Sequence, residues 1–317
     1  MMKVVLLMEK SFKHAEAKIN ELMAVLEQNI LGKPEILRLT ITALLADGHV
    51  LFEDVPGVGK TLLAKTLTQA IQADFKRIQF TPDLLPSDLL GVSIFNRQTN
   101  QFEFHQGPIF TTILLADELN RTTPRTQAAL LEAMSEKQVT IESTSMPLNP
   151  HFFVIATQNP LENEGTYPLP EAQLDRFLFR LKLGYPATNF ELQMLAGTTA
   201  TRTVAPVLSL EQLTVLKQNV QQVHVAPELL HYALQLIQAT RVHPELILGI
   251  SPRAGVAFIQ AAKAYALTWG RSYVIPDDLQ AVVPAVFHHR LILKDFSQKQ
   301  VDQIIREIIA QTPVPVR

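Results

Sequence analysis

The feature that most constrains the fold is a short apolar run that enters a glycine-containing loop and then a helix-forming segment. The run Val50-Leu51-Phe52 precedes the loop at residues 54–61, and a helix is predicted from Lys60 to about Ile71. The loop ends as the pattern G-x-x-x-x-G-K-[ST] does, in which backbone N–H groups cradle phosphates and the lysine reaches the β- and γ-phosphates. Asp54 stands where this pattern has its first glycine. The sequence therefore predicts a phosphate-binding loop between a buried strand and a helix.

Four further apolar runs are typical of central strands in a sheet that helices cover on both faces. They lie at residues 77–80, 113–116, 152–156 and 177–183. After Tyr185-Pro186 the strand signals fade, and helical spacing returns, with Ser251 as an N-cap and Pro252 at the first helical position. The chain has 317 residues, which suits about two domains. We expect an α/β domain with a five-stranded parallel sheet over residues 1–186 and a small all-helical domain over 187–317.

Two polar hairpins interrupt the strand–helix alternation. Residues 92–95 and 102–105 form one predicted hairpin, and residues 139–142 and 145–148 form the other. Insertions of this kind either cover a surface or contact a partner, and the sequence leaves both alternatives open.

The composition limits the classes of partner and the environment. Lys and Arg total 28 against 30 for Asp and Glu, so no global basic field exists to hold a nucleic acid. There is no cysteine, which excludes disulfides and thiolate metal sites. The N-terminus lacks the pattern of a signal peptide, and no apolar stretch approaches the roughly 18 residues that span a bilayer. We expect a cytoplasmic protein without membrane insertion.

Carboxylates and an amide follow two of the predicted strands. Asp117 and Glu118 end the run at 113–116, where Asp117 can hold Mg²⁺ together with Thr61 and Glu118 can orient and deprotonate an attacking water. Asn159 follows the run at 152–156 and is the candidate to bond a γ-phosphate or the water. Solvated acids at a strand end are the alternative for Asp117 and Glu118, and an ordinary Asn-Pro turn is the alternative for Asn159.

Two arginines are candidates for neutralising charge on the transferred phosphoryl group. Arg176 begins a predicted strand, and Arg253 lies in the first turn of the helix that Ser251 caps. A cation in the first turn is unfavourable for the helix dipole, so a nearby anion would explain Arg253. A surface salt bridge is the alternative for each.

Taken in order, these segments resemble the MoxR family of AAA+ ATPases over nearly all of the chain from Ile30 onward. The segments that carry the resemblance are the phosphate loop at 48–61, the Walker B segment at 117–121, the sensor-1 strand at 156–160, the arginine-finger segment at 170–177 and the sensor-2 segment at 249–253. An aspartate in place of the first glycine is common in that family, so the departure at Asp54 is not damaging.

The resemblance implies ATP and Mg²⁺ as cofactors. The residues it places at the nucleotide are Ile30, Leu31 and Gly32 on the adenine, followed by Pro56, Gly57, Val58, Gly59, Lys60, Thr61, Leu62 and Asp117. It implies that Thr61 and Asp117 hold the metal and that Glu118 and Asn159 act on the γ-phosphate. Arg253 would act in cis from a helical lid, whereas Arg176 would reach the ATP of a neighbouring subunit in a ring, most often a hexamer.

The resemblance also implies a kind of function: chaperone-like remodelling, activation, or metal or cofactor insertion of a partner that carries a von Willebrand factor A domain. The tips of the two hairpins, residues 97–100 and 143–145, lack an aromatic pore residue, which favours local remodelling over threading. The alternatives are a nucleic-acid motor or loader, which the balanced charge disfavours, and a GTP switch, for which no Asn/Thr-Lys-x-Asp loop is present.

Overall fold

The computed structural model of the chain describes residues 2–141, 144–160, 165–196, 204–294, 297 and 299–315, with the backbone alone at residues 2–10 and 193. Glu142 and Ser143 of the second predicted hairpin lie outside the described residues. Over these residues, no helix combines the length and the apolar character needed to cross a membrane.

The N-terminal part alternates helices and strands around the phosphate loop. Its elements are α1 (Met2–Asn29), α2 (Pro34–Leu45), β1 (Val50–Glu53), α3 (Lys60–Ala70), β2 (Phe75–Gln79), α4 (Pro86–Leu90), β3 (Gly91–Asn96), β4 (Gln101–Gln106), β5 (Ile113–Asp117), a 3₁₀ turn (Leu119–Arg121), α5 (Pro124–Glu136), β6 (Gln138–Ile141), β7 (Thr144–Pro147), β8 (Phe153–Gln158), α6 (Glu171–Leu174) and β9 (Phe179–Leu181).

Five of these strands form one parallel sheet in the order β2-β5-β8-β1-β9. Alternate residues of the central strands belong to two different buried clusters, as the period of two in a strand requires. On β5, Leu115 packs with the cluster that contains α1, α2 and α3, while Leu114 packs with the cluster that contains α5. Helices thus cover both faces, and the predicted five-stranded sheet is confirmed.

The C-terminal part is built mainly of helices. Its elements are α7 (Thr188–Leu195), α8 (Leu210–Gln222), α9 (Pro227–Val242), β10 (Leu246–Leu248), α10 (Pro252–Thr268), α11 (Pro276–Phe287), a 3₁₀ turn (His288–Arg290), β11 (Ile292–Leu293) and α12 (Val301–Gln311). The helix start at Ser251 is as predicted, since its Oγ accepts the N–H of Ala254 at 3.1 Å. The antiparallel ribbon β10–β11 was not evident from the sequence, because each strand is only two or three residues long.

The helical part packs on the face of the sheet opposite α5. A single buried cluster joins Ile41 of α2 and Leu63 of α3 to Phe258 of α10 and Phe287 of α11, whose rings meet edge to face at 5.0 Å. Because the apolar core is continuous between the two parts, the ends of α10 and α11 are held close to the sheet.

Both predicted hairpins are present where the structure describes them. The pair β3–β4 is antiparallel, with Phe95 opposite Phe102, and β6–β7 is antiparallel from Gln138 opposite Pro147 to Ile141 opposite Thr144. The first hairpin leaves the sheet between α4 and β5, and the second immediately precedes β8.

Candidate functional site

The phosphate loop opens onto a cleft of about 410 Å³ at the carboxyl ends of the parallel strands. Its lining includes Gly57, Gly59, Lys60, Thr61 and Leu62 from the loop and α3, Asp117 and Glu118 from the end of β5, Arg77 and Gln79 from β2, and Thr157 and Asn159 from the end of β8. We call this the phosphate cleft. A crevice outside the carboxyl ends of the strands is the usual ligand site of an open α/β sheet.

The loop backbone has conformations that glycine adopts without cost. Gly57 has φ of 86° and Gly59 has φ of 102°, both in the left-handed region. A Cβ placed at Gly57 would meet no atom within 4 Å, so the space beside it is open. Gly59 is the N-cap of α3, whose first residue is Lys60. The N-terminus of a helix, with its unpaired N–H groups, therefore faces the loop.

The ammonium group of Lys60 is held by the loop itself. Its Nζ donates to the carbonyl oxygens of Asp54 at 2.9 Å and of Val55 at 3.0 Å. Burial lowers the pKa of Lys60 from its ordinary value, and the carboxylates of Asp54, Asp117 and Glu118 oppose that shift. A cation in a cleft with those carboxylates fits an anionic ligand such as a phosphate.

One hydroxyl of the neighbouring strand β8 bonds both acidic residues at the end of β5, the first through its carboxylate and the second through its backbone. Thr157 Oγ1 donates to Asp117 Oδ1 at 2.6 Å and accepts the backbone N–H of Glu118 at 2.9 Å. Glu118 has φ of 56° and ψ of 50°, a left-handed conformation that few non-glycine residues adopt. Residues held in such conformations cluster at functional sites.

Strand β2 contributes two polar residues that the sequence analysis did not identify. Arg77 forms an ion pair with Asp117, with Nη2 2.8 Å from Oδ2. Gln79 Nε2 donates to Glu118 Oε2 at 2.6 Å, and Arg121 Nη1 donates to the same oxygen at 2.9 Å. The sequence signal was the spacing of two, which puts Arg77 and Gln79 on one face of the strand beside β5.

A second cleft, of about 230 Å³, contains the candidate arginines. It is lined by Arg176 after α6, Arg253 in the first turn of α10, Arg290 after α11, and residues of the α2–β1 connection and of α5. We call this the arginine cleft. Of the described residues, those that line the phosphate cleft do not include Arg176 or Arg253. The structure therefore brings the two arginines together, but not at the phosphate loop of their own chain.

This placement bears on the cis role that the resemblance implies for Arg253, which stays a prediction. The side chain is exposed and lies near Arg290, whose pKa is lowered by burial first and by the charge of Arg253 in addition. The helix start was predicted correctly, but the position of α10 against the sheet puts its first turn beside Arg176. Arg176 Nη1 itself donates to Leu131 O at 2.8 Å and to Ser135 Oγ on α5.

The residues expected at the adenine lie beside the segment that follows β9. Ile30 is buried, Leu31 is half-buried, and a Cβ at Gly32 would come within 2.5 Å of the Phe190 ring. None of Ile30, Leu31 and Gly32 lines the phosphate cleft as far as the structure describes it. Their role at the adenine stays a prediction.

The first hairpin carries an exposed pair of aromatic side chains, which the sequence analysis did not single out because the hairpin tip is polar. Phe95 and Phe102 meet edge to face at 5.3 Å between ring centroids, and they are 46% and 71% exposed. Val92 and Ile94 on the same hairpin are each 48% exposed. The tip at residues 97–100 is polar as expected, but the hairpin as a whole presents apolar surface.

A parallel α/β sheet, a phosphate loop at a helix N-terminus and paired acidic residues at the end of another strand of the same sheet define a P-loop nucleotide-binding protein. Residues 49–179 match the model of the ATPase family associated with various cellular activities (AAA), and residues 238–308 match the AAA lid domain.

Comparison with known proteins narrows the class further. The chain is 52% identical to the YeaC protein of Bacillus subtilis over 91% of this chain and 92% of that protein. It is 41% identical to Chaperone MoxR1 of Mycobacterium tuberculosis over 83% of this chain and 73% of that protein. A protein of Cytophaga hutchinsonii whose crystal structure is assigned to an ATPase superimposes with a TM-score of 0.92 at 36% identity, covering 100% of both chains.

The chain belongs to the MoxR family of AAA+ ATPases. It is a nucleotide-binding ATPase with a chaperone-like AAA+ function, as this family membership indicates.

Proposed function

We propose that the chain hydrolyses Mg²⁺-bound ATP and uses the energy to remodel or activate a partner protein. The observation that carries the proposal is the convergence of Lys60, Thr61, Asp117, Glu118 and Asn159 on the phosphate cleft. A cation, a hydroxyl, two carboxylates and an amide are the groups that phosphoryl transfer to water requires at one place.

The phosphates are held by Lys60 in this proposal, with the ammonium group turning from the carbonyl oxygens of Asp54 and Val55. Thr61 and Asp117 fit a Mg²⁺ ion, because hydroxyl and carboxylate oxygens are the ligands that it accepts beside phosphate oxygens. The ion supplies charge neutralisation at the phosphates when it is bound.

The attacking water is oriented and deprotonated by Glu118, and Asn159 bonds the γ-phosphate. Thr157 fixes the positions of both acidic residues, because it bonds the carboxylate of Asp117 and the backbone N–H of Glu118. The loop residues Pro56, Gly57, Val58 and Gly59 surround the phosphates, Leu62 follows them on α3, and Ile30, Leu31 and Gly32 pack on the adenine.

A neighbouring subunit completes the site. Arg176 and Arg253 share the arginine cleft away from their own phosphate cleft. We infer that both act in trans on the ATP of the next subunit. One surface of each copy then meets a different surface of the next, a heterologous contact that closes into a ring. A hexamer is the ring size we propose, with a core over residues 1–186 and a lid over 187–317.

The client is a separate protein, and we propose one that carries a von Willebrand factor A domain, in the cytoplasm where ATP is available. The exposed pair Phe95 and Phe102 supports a client surface on the first hairpin, since apolar patches on a polar rim mark interaction sites. Local remodelling, activation, or metal or cofactor insertion are the activities this surface would serve.

A substitution that traps bound ATP tests the proposal. Glu118→Gln removes the base but leaves Lys60 and Thr61, so ATP should bind and persist. Immobilised in the presence of ATP, Glu118→Gln should retain a partner protein from a lysate of the organism that produces this chain. Lys60→Ala under the same conditions should retain none. Loss of more than about a hundredfold in hydrolysis is expected for Glu118→Gln. ATP turnover at the wild-type rate in this variant would reject the role of Glu118, and equal capture by both variants would reject nucleotide-dependent client binding.

A nucleic-acid motor is the alternative function. It predicts binding that weakens steeply with salt and ATP hydrolysis that rises when DNA or RNA is added. The near balance of 28 basic against 30 acidic residues disfavours it. An ATPase rate that single-stranded and double-stranded DNA or RNA leave unchanged would exclude the alternative, and strong stimulation would replace the client proposal.

A further inference from the structure

Arg290 is a buried arginine whose hydrogen bonds are directed mainly at one short segment. It lies in the 3₁₀ turn after α11 and is 7% exposed. Nε donates to Asp175 Oδ1 at 2.6 Å, and Nη2 donates to the carbonyls of Asp175 at 3.0 Å and Phe177 at 2.7 Å. Nη1 donates to the carbonyls of Leu178 at 3.2 Å and Val286 at 2.5 Å. A guanidinium has five N–H donors, and these five bonds use their full capacity.

Four of the five acceptors flank Arg176 on its two sides. The preceding residue, Asp175, is bound through its carboxylate and its carbonyl, and the following carbonyls of Phe177 and Leu178 are bound as well. The segment that carries Arg176 is therefore fastened by its backbone to the lid.

His289 strengthens the same attachment. Its Nε2 lies 3.0 Å from Phe177 O, and because a carbonyl only accepts, Nε2 carries the proton. The ring is buried, and its Nδ1 has no hydrogen-bond partner among the residues that the structure describes. Two consecutive lid residues thus hold the carbonyl of Phe177.

A buried arginine loses the hydration of its charge, and hydrogen bonds must offset that cost. An apolar side chain that only fills space has no such cost. Desolvation of a buried charge costs several kcal/mol in real proteins, so an apolar side chain would often be as stable at such a place. The planar fork of arginine does what an apolar residue cannot, since it fixes several acceptors in one orientation. The arginine cleft that contains Arg176 and Arg253 also contains Arg290.

We propose that Arg290 is a positioning residue that joins the segment of Arg176 to the lid, so that Arg176 and Arg253 move together as one unit. The inference rests on the proposed action of Arg176 in trans. A change in the lid of one subunit would then reposition both arginines at the ATP of its neighbour. Arg290 itself contacts no reacting atom in this scheme.

The first test separates binding from turnover. Arg290→Met should leave the affinity for a fluorescent ATP analogue within about twofold and lower kcat by about tenfold or more, since the loss falls on an interaction made in the transition state. The matched control is Arg38→Met. Arg38 is half-buried and also joins α2 to the lid. It donates to Thr268 O at 2.6 Å and stacks on Trp269, and neither partner belongs to residues 175–178. Arg38→Met should lower the thermal midpoint and keep kcat.

The second test uses rings assembled from two variants. A variant whose only defect is lower stability would not regain activity in such a ring. Lys60→Ala subunits cannot bind ATP but retain Arg176, while Arg290→Met subunits bind ATP but misplace Arg176. Mixed at equal amounts, they should recover up to about a quarter of the wild-type rate, because half of the subunits bind ATP and half of their neighbours are intact in a heterologous ring. Arg176→Ala mixed with Lys60→Ala should behave in the same way, and Asp175→Asn, which keeps a neutral acceptor for Arg290, should show a smaller defect of the same kind.

The outcomes distinguish this inference from the function it rests on. Recovery with Arg176→Ala but not with Arg290→Met or Asp175→Asn would overturn the role of Arg290 and leave the trans action intact. No recovery with Arg176→Ala would overturn the trans action itself. A fall in nucleotide affinity that accounts for the whole defect of Arg290→Met and Asp175→Asn would also reject a positioning role.

Discussion

The carboxylate of Asp54 accepts the backbone N–H of Gly184 at 3.1 Å, and it accepts the N–H of Leu183 as well. Asp54 occupies the position of the first glycine in the phosphate-loop pattern. Leu183 and Gly184 follow the edge strand β9, so these bonds fasten the start of the loop to a neighbouring strand. Lys33 Nζ is bonded to the adjacent Tyr185 O at 2.7 Å, which draws the α2 start to the same place. The aspartate thus has a structural role that glycine cannot take.

Replacing Asp54 by the consensus glycine should therefore destabilise the protein. Asp54→Gly leaves two backbone N–H groups without their acceptor and adds a flexible residue, which together cost about 2–4 kcal/mol. The measurement is the free energy of unfolding from urea denaturation, with the thermal midpoint as a second readout. Asp54→Asn keeps one oxygen that accepts hydrogen bonds, so its loss should be about half as large. Wild-type stability in Asp54→Gly would show that these bonds contribute nothing.

The ion pair between Arg77 and Asp117 should compete with Mg²⁺. Arg77→Met removes the cation from a proposed metal ligand, so less Mg²⁺ should be needed for nucleotide binding. The Arg77 side chain is 49% exposed, which limits the pair to about 1 kcal/mol and the change to about fivefold. The measurement is the Mg²⁺ concentration that half-saturates binding of a fluorescent ATP analogue. Arg97→Met, an exposed change on the hairpin tip, is the control, and a higher Mg²⁺ requirement in Arg77→Met would contradict the competition.

The contacts of Arg77 and Gln79 could not be predicted from the sequence alone. The strands were predicted to within a few residues, because apolar runs and the loops that bound them are local features. The partners of Arg77 and Gln79 depend on the pairing of β2 with β5, in which Gln79 lies opposite Asp117. Strand order and register arise from contacts between distant segments, and nothing in the window around residue 77 specifies them.

The same limit applies to the position of Arg253. The cap at Ser251 and the start of α10 follow from the local sequence and were predicted correctly. The direction in which Arg253 extends depends on how the whole lid packs on α2 and the sheet, through buried residues such as Ile41 and Phe258. That packing puts Arg253 beside Arg176 rather than beside Lys60.

Acid should destabilise the fold through His49. Its Nδ1 accepts the N–H of Val154 at 3.0 Å, its Nε2 lies 3.2 Å from Met134 O, and burial lowers its pKa from 6.5 to about 4. In the unfolded chain His49 takes up a proton near pH 6.5, whereas in the folded chain it stays neutral until about pH 4. Stability from neutral His49 is thus complete above pH 6.5 and falls between pH 6.5 and 4, by roughly 3 kcal/mol at most.

The measurement is the unfolding free energy at pH values from 4.5 to 7.5. His49→Gln should be less stable at pH 7.5, since it loses a buried hydrogen bond, but it should lose less stability on acidification than the wild type. His14→Gln changes an exposed histidine and should leave the profile as it is. His289, His288 and His151, whose pKa values are also lowered by burial, contribute to a remaining slope in His49→Gln. Parallel profiles for His49→Gln and the wild type would refute the assignment to His49.

The aromatic pair on the first hairpin should matter for the client and not for ATP. Phe95 and Phe102 are exposed and do not line the phosphate cleft as far as the structure describes it, so Phe95→Ser combined with Phe102→Ser should keep the basal ATPase rate. Capture of the partner by the Glu118→Gln trap should fall about tenfold or more if the pair is an anchor of the interface. Val256→Ser, which changes a 73% exposed residue on α10, is a control for general loss of apolar surface. Undiminished capture by the hairpin variant would place the client elsewhere.

The position of Arg253 in the arginine cleft leads to a prediction that separates trans from cis action. If Arg253 acted on the ATP of its own subunit, Arg253→Ala would weaken nucleotide binding and could not be rescued by a neighbour. Action in trans predicts unchanged affinity, a loss of hydrolysis of roughly a hundredfold or more, and recovery when Arg253→Ala is mixed with Lys60→Ala. Arg253→Lys should hydrolyse ATP little faster than Arg253→Ala, because the planar guanidinium bonds two phosphate oxygens and an ammonium does not. Affinity, kcat and the mixed-ring rate are measured under one set of conditions. Because Arg176 lines the same cleft, the double variant Arg176→Ala, Arg253→Ala should lose less hydrolysis than the product of the two single-variant losses. Two groups that act on one phosphate are expected to be coupled in this way.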